Sequence, residues 1–310
     1  MDPVAGSRRR WIVAGGALVL GACVGAGPPA PQRQTGGVPL VPAFGLQGAR
    51  ILLKTGGGGT PAPSAFGPYQ GFVFPVAIAA TGLDIYVADA ALGRIFRYDR
   101  GYAAMSVMPV PASPATRLQA ASDGSLYVLD TIGSGIHRYG RDGQALPVMH
   151  PLSPTSRYLD FAIDPVSGRA FALDANHARI DRIEPLGRIA IPEAESVAGA
   201  AIAADSRSIF VADARCACVN EYREGRILRQ WATGEIRQPR ALAVERDRLY
   251  QLDAFDRSIA VVHPGGVERM SAPALGLVAP EAIAAYGGQL YVADGAGHSI
   301  AVFQRSGGRP

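Results

Sequence analysis

An all-β chain folded as a six-bladed β-propeller is the fold class the sequence predicts, and three observations carry the prediction. One unit of about 40 residues recurs six times. Every copy closes a short apolar run on an aspartate. Every copy also holds three short strand-like runs and, except in the last, a fourth apolar stretch, which is the content of one four-stranded blade.

The marker runs are Ile85 to Asp89, Leu126 to Asp130, Ala170 to Asp174, Ile209 to Asp213, Leu249 to Asp253 and Leu290 to Asp294, with intervals of 41, 44, 39, 40 and 41 residues between the aspartates. Six residues after each aspartate stands a β-branched apolar residue: Ile95, Ile136, Ile180, Val219, Ile259 or Ile300. Eleven residues before it stands Ile78, Gln119, Ile163, Ile202, Leu242 or Ile283, within runs rich in small residues such as Ala77-Ile78-Ala79-Ala80. Small side chains suit inner strands that crowd toward a central channel, while wider outer strands carry Tyr, Phe and Arg. The fourth stretches are Ser106 to Val110, Leu146 to His150, Arg188 to Pro192, Leu228 to Ala232 and Val267 to Ser271. The sixth unit stops at Arg305, before any fourth strand. Arg50-Ile51-Leu52-Leu53-Lys54 precedes the first unit, and the reading assigns it as the N-terminal strand that closes the last blade. Closure removes a sheet edge that would otherwise offer unpaired backbone groups for aggregation.

These units resemble NHL repeats, in which a Pro-x-Gly-hydrophobic-Ala strand precedes a strand ending Tyr-Val-Ala-Asp and then an Ile-x-x-Phe/Tyr strand. Pro75-Val76-Ala77-Ile78-Ala79, Pro239-Arg240-Ala241-Leu242-Ala243 and Pro280-Glu281-Ala282-Ile283-Ala284 fit the first element with alanine in place of glycine. The resemblance covers residues 75 to 305 and implies a propeller. It leaves function open, because propellers of this type serve as binding platforms, as lyases or hydrolases, and as scaffolds.

Ahead of the repeats, Arg8-Arg9-Arg10, the ten-residue apolar run Trp11 to Leu20, and Gly21-Ala22 before Cys23 form the layout of an export signal. Ten residues fall short of the roughly 20 that a membrane-spanning helix needs. Leu20-Gly21-Ala22-Cys23 resembles a bacterial lipobox, which implies cleavage before Cys23 and lipidation of its thiol; an ordinary signal peptide with Cys23 left free is the alternative. The expected organisation is a lipoprotein signal peptide over 1–22, a Gly/Pro-rich tether over 23–48, the propeller over 49–305 and a tail over 306–310. The mature chain is expected outside the cytoplasm. If the host has two membranes, Val24 in place of an aspartate favours lipid anchoring on the periplasmic face of the outer membrane. Loss of residues 1–22 would remove three arginines and Asp2, leaving 27 basic against 25 acidic residues, too small an excess to argue for nucleic acid. Three cysteines, one of them the lipid site, exclude a disulfide-stapled scaffold.

Six aspartates at one repeat position read as structural, each accepting hydrogen bonds from backbone amides two or three residues on. Functional information belongs where the units differ. The turns between second and third strands and the blade-to-blade connections open on one face of a propeller. There they place Arg94, Arg117, Arg157, Tyr158, His177, Arg179, Arg215, Arg240, Arg257, Glu281 and His298, the candidate ligand- or partner-binding set. Arginine forks recognise carboxylates and phosphates, so this face suits an envelope protein, a glycan or an anionic ligand; the alternative is that these arginines are solvated surface. A propeller lyase or hydrolase with an axial metal would draw on His177, His298, Asp160 and Glu281, which share no repeat position. The reading therefore assigns no catalytic residue, no metal and no cofactor, and keeps such an enzyme and a cell-envelope assembly scaffold as alternatives. Cys216-Ala217-Cys218 is a candidate redox pair.

Overall fold

The computed structural model describes residues 40–53, 65–132, 135–185, 190–195, 197–233, 236–264 and 266–305; the signal segment, Cys23 and the tail 306–310 lie outside the described residues. The chain runs through β1 (Leu40–Leu46), β2 (Gly48–Leu52) and β3 (Phe66–Gly71) before the first repeat. Blade one is then β4 (Pro75–Ala80), β5 (Asp84–Asp89), β6 (Arg94–Asp99) and β7 (Ala104–Pro111). Blade two is β8 (Thr116–Ala120), β9 (Leu126–Asp130), β10 (Ile136–Tyr139) and β11 (Ala145–Met149). Blade three is β12 (Tyr158–Ile163), β13 (Ala170–Asp174), β14 (Arg179–Ile183) and β15 (Ala190–Glu195). Blade four is β16 (Ala201–Ala204), β17 (Ile209–Asp213), β18 (Cys218–Arg223) and β19 (Arg226–Ala232). Blade five is β20 (Pro239–Glu245), β21 (Arg248–Asp253), β22 (Ser258–His263) and β23 (Gly266–Ser271). Blade six is β24 (Pro280–Tyr286), β25 (Gln289–Asp294) and β26 (Ser299–Arg305), with β1 as its outer strand. The all-β, six-bladed prediction holds.

Each inner strand packs against the inner strands of both neighbours, from β4 through β8, β12, β16 and β20 to β24 and back to β4, so the ring is closed. Alanine makes that approach possible. The hydrophobic core is divided into six layers, each between two adjacent blades. The aromatic residue three before each aspartate, namely Tyr86, Tyr127, Phe171, Phe210, Tyr250 or Tyr291, is buried in one of these layers. Two of the tyrosines also bond across to the next blade. Tyr86 donates to the Gly124 carbonyl at 2.7 Å, and Arg100 of blade one donates to the Tyr291 hydroxyl at 2.6 Å.

Closure corrects one assignment. Arg50 to Lys54 does not complete the last blade; β1 does, pairing antiparallel with β26 in the register Leu40↔Arg305 to Leu46↔Ile300. Ile51 and Leu52 instead belong to β2, which pairs with β3 and runs parallel to β7 as an annex to blade one, and Lys54 lies outside the described residues. Strand structure therefore reaches back into the stretch expected to be tether. The physical reason is that an outer strand is held by its backbone ladder and shows little apolar signature. Of the β1 side chains only Leu40 is buried, at 2% exposure in the layer between blades five and six.

The repeated aspartates do what the sequence reading assigned, and more. Ile132, Asn176, Arg215 and Phe255 donate backbone N–H groups to the aspartate two residues before them, and Leu92 and Gly297 to the one three before. In four blades the same carboxylate also takes amides from the loop leading into its own inner strand: Val73 and Phe74 on Asp89, Arg157 on Asp174, Arg237 and Gln238 on Asp253, and Val278 and Ala279 on Asp294. One buried carboxylate thus ties together both connections that form the loop face. The turn it caps has a fixed shape. Four residues after the aspartate, Gly93, Ala178, Ala217, Arg257 and His298 all adopt left-handed backbone, with φ of +63, +48, +48, +55 and +52°.

Leu40→Ala is expected to lower stability by about 2–4 kcal/mol, as for other buried leucines, whereas Leu53→Ala, at an exposed position within the segment first assigned to closure, changes it by less than about 0.5 kcal/mol. Urea denaturation of the two variants measures the difference, and equal effects would return the closing role to the 50–54 segment.

Candidate functional site

The inner strands bring four charged side chains to the mouth of the channel on the loop face. Arg117, Arg240 and Glu281 each stand thirteen residues before their blade aspartate, on β8, β20 and β24, and Asp160 stands on β12. They line a cavity of about 30 Å³, room for roughly one water. Arg240 donates through Nη2 to the Glu281 carboxylate and through Nε to the Glu281 carbonyl at 3.0 Å. Asp160 is buried and accepts from the amides of Ile202 at 3.0 Å and Phe161 at 2.9 Å. Burial pushes its carboxyl up to about 6, against the pull of the Arg117 charge and of these two amides. Beyond this plug the channel widens into a cavity of about 300 Å³ that opens on the opposite face, walled largely by small side chains such as Ala79, Ala120, Ala203, Ala243 and Ala284.

The rest of the predicted set is spread around the rim, and much of its charge is already paired. Arg179 donates from Nε to Asp181 at 2.6 Å and lies 3.6 Å from Asp174. Arg215 lies 3.0 Å from Asp213 with its side chain 70% exposed. His177 bonds through Nδ1 to Asp174 at 2.7 Å and approaches Thr155 Oγ1 at 3.3 Å through Nε2. Burial raises the Asp174 carboxyl, but the neighbouring Ser156 and hydrogen bonds from the Arg157 amide and His177 outweigh that and hold it below the usual carboxylate range. Arg257 donates to the Val278 carbonyl at 3.3 Å, and His298 donates from Nδ1 to the Val73 carbonyl. Arg94 and Arg157 are exposed.

Tyr158 does not belong in the set. It is buried in the layer between blades two and three, donates to Asp181 at 2.9 Å and accepts from the Leu152 amide at 3.3 Å. Burial and the neighbouring Asp181 carboxylate push its hydroxyl pKa up. The loop face is accordingly less basic than a count of its arginines implies.

The structure adds residues that a search for charge passes over. Phe255, Val278 and Val73 are exposed on the loop face of blades five, six and one. The Arg237 guanidinium lies over the Phe255 ring, 4.8 Å from its centre. Arg257 reaches Val278, Val278 N–H bonds Asp294, and His298 of the same turn reaches Val73, so the patch is continuous across three blades. The signal that could have found it is Phe255 itself, an aromatic two residues after the aspartate where the other turns carry Ala, Ile, Asn, Arg and Ala.

Cys216 and Cys218 form a disulfide in the corresponding turn of blade four. Among the described residues no group of three or more His, Cys, Asp or Glu side chains is arranged to hold a metal ion: Asp160 and Glu281 share the channel mouth, and His177 and His298 make no metal site with them.

No protein-family model matches the sequence, and no curated protein does. Solved structures do resemble it. A streptogramin B lyase is 15% identical with a TM-score of 0.56, over 76% of this chain and 85% of that one. An auxiliary nutrient binding protein from Bacteroides thetaiotaomicron is 10% identical with a TM-score of 0.59, over 75% of this chain and 69% of that one. A chain of a nidogen/laminin complex is 18% identical with a TM-score of 0.55, over 69% of this chain and 86% of that one. At these identities the likeness is one of fold, and the class it defines is the six-bladed β-propeller.

Because Asp160 binds its proton more tightly in the folded state than its ordinary value of 3.8 allows, its ionisation opposes folding: stability falls as pH rises from about 4 to about 6 and is level above. Asp160→Asn lacks this term. Relative to the wild type, the variant is expected to gain about 2 kcal/mol between pH 4 and pH 7, and Arg117→Met, by removing a stabilising charge, to move the Asp160 titration higher. Denaturation across that pH range and carboxyl NMR check both; a flat difference would refute the assignment.

Proposed function

We propose that this chain is an NHL-like propeller held at a membrane surface outside the cytoplasm by lipid on Cys23, which binds a protein partner through its loop face. The observation that carries the reading is the mixed patch over blades five, six and one. Aromatic residues and Arg are enriched at the cores of protein interfaces, and an exposed phenylalanine under an arginine, beside exposed Val73 and Val278 and Arg257, is an apolar patch of that kind. The partner is one that offers apolar side chains and carboxylates.

Leu40 pairs with Arg305, so β1 begins at the end of β26 away from the loop face. A six-bladed fold shared with a nutrient binding protein and with a chain from a nidogen/laminin complex supports a binding role. The likeness to a streptogramin B lyase keeps the enzyme alternative in view. The room around Asp160, whose carboxyl is pushed up to about 6, is one water's worth, which does not favour substrate chemistry at that mouth.

Phe255→Ala is expected to reduce recovery of the partner from membranes of the source organism at least tenfold with the fold intact by circular dichroism, while Arg207→Ala on the opposite face leaves it unchanged; equal recovery would reject the patch. Cys23→Ser is expected to move the protein from the membrane to the soluble fraction and to abolish incorporation of labelled palmitate. Persistence in the membrane would reject the lipid anchor.

A further inference from the structure

The Cys216–Cys218 bond spans a single residue, Ala217, and closes on a turn that the fold builds with or without it. The left-handed residue between the two cysteines recurs at the same place in blades one, three, five and six, where no cysteine is present. That backbone shape brings the residues three and five after the aspartate close together. In blade five these are Asp256 and Ser258, and the Ser258 amide donates to Asp256 Oδ1 at 3.0 Å. In blade four the same two positions are the cysteines, with Cα atoms 5.1 Å apart, inside the ordinary range for a disulfide. A bridge across one residue also constrains the unfolded chain very little, since the constraint grows with the length of the loop it closes. The bond therefore adds little to the scaffold, and its removal leaves a turn still held by Asp213, which accepts from the Arg215 amide at 2.8 Å, and by Thr233, whose hydroxyl donates to the Ala217 carbonyl at 2.9 Å.

The two sulfurs differ in access. Cys216 is exposed, and Cys218, at the start of β18, is buried beside Asn220. An incoming thiolate meets Cys216 first.

We propose that Cys216 and Cys218 are a reversible dithiol–disulfide couple that exchanges two electrons with a partner dithiol at the loop face. In the exchange, a partner thiolate attacks Cys216 Sγ, the bond between Cys216 and Cys218 breaks, and Cys218 leaves as a thiolate that takes up a proton. The partner's second thiolate then attacks its own sulfur in the mixed disulfide, and Cys216 leaves as the second thiolate and is protonated. The partner dithiol ends as a disulfide, the cysteine pair ends reduced, and two protons move with the two electrons. Run backwards, a partner disulfide reoxidises the pair. Because the turn keeps its shape when reduced, the two thiols stay adjacent and the second step is intramolecular in either direction.

The test is a titration of the full chain in buffers of reduced and oxidised glutathione, quenched with N-ethylmaleimide and read peptide by peptide by mass spectrometry so that Cys23 does not interfere. The pair is expected to pass from disulfide to dithiol within the buffered range, to reach the same end point from either direction, and to shift Tm by less than about 4 °C. Cys218→Ser is expected to leave Cys216 alkylated at least tenfold faster than Cys218 in Cys216→Ser, and to trap a glutathione mixed disulfide on Cys216. A bond that survives excess dithiothreitol until the protein unfolds, a larger loss of Tm on reduction, or equal alkylation rates at the two sulfurs would overturn the proposal.

Discussion

A carboxylate at the end of the second strand of each blade, buried in every blade but the second, organises this molecule. An ionised group with almost no exposure persists only where hydrogen bonds replace its lost water. In blades one, three, five and six those bonds come from two directions, the turn that follows and the loop that leads into the inner strand. Two connections that would otherwise be independent become one rigid unit. The shape of the loop face follows from repetition of this unit, including the left-handed residue that ends each described turn. Variation is then confined to the side chains the turn displays, and those are where the blades differ: Leu92 in blade one, His177 in three, Cys216 in four, Asp256 in five.

The six apolar layers make closure a cooperative matter. Each layer needs both of its blades, so a blade missing its outer strand weakens the layer on either side. β1 supplies the missing strand with a backbone ladder along β26 and one buried leucine. Hydrogen bonds are the larger part of that attachment, which is why a strand whose other described side chains are exposed or half-buried still holds the ring shut. Alanine along the channel plays the complementary part at the inner edge. A larger side chain there would prevent six strands from meeting, and the same small residues leave the cavity at the far end.

The fold was legible because its signals are periodic. Asp89 through Asp294 and the β-branched residues six places later report positions with identical surroundings in every blade, so each copy reinforces the register of the others. Closure had no such support. Ile51-Leu52-Leu53 is the more apolar candidate, and it is apolar because Ile51 packs against the layer between blades six and one, not because it joins the last blade. The candidate site was legible in its location and not in its chemistry. Arg117, Arg240 and Glu281 do meet at the channel mouth, since their common offset from the aspartates places them at one height. Tyr158 fell away because its partner, Asp181, lies on another strand and nothing local announces it. Phe255 was passed over because charge was the property sought, and pairing of charge across the turns is a three-dimensional fact.

That pairing bears on how the loop face binds. An arginine already bonded to a carboxylate must exchange one partner for another, so a ligand carboxylate gains only the difference between two similar interactions, and exposed ion pairs contribute little to begin with. Arg179 and Arg240, each held by a neighbouring acid, can therefore impose orientation and reject mismatched charge more readily than they can supply affinity. Affinity has to come from surface that loses water without losing partners. Phe255, Val278 and Val73 meet that condition, and Arg237 stacked on Phe255 covers the ring while keeping its planar donors near the surface. On the proposed reading, the apolar strip over blades five, six and one is thus the part of the face on which binding strength would depend, with the paired arginines around it setting which partner fits.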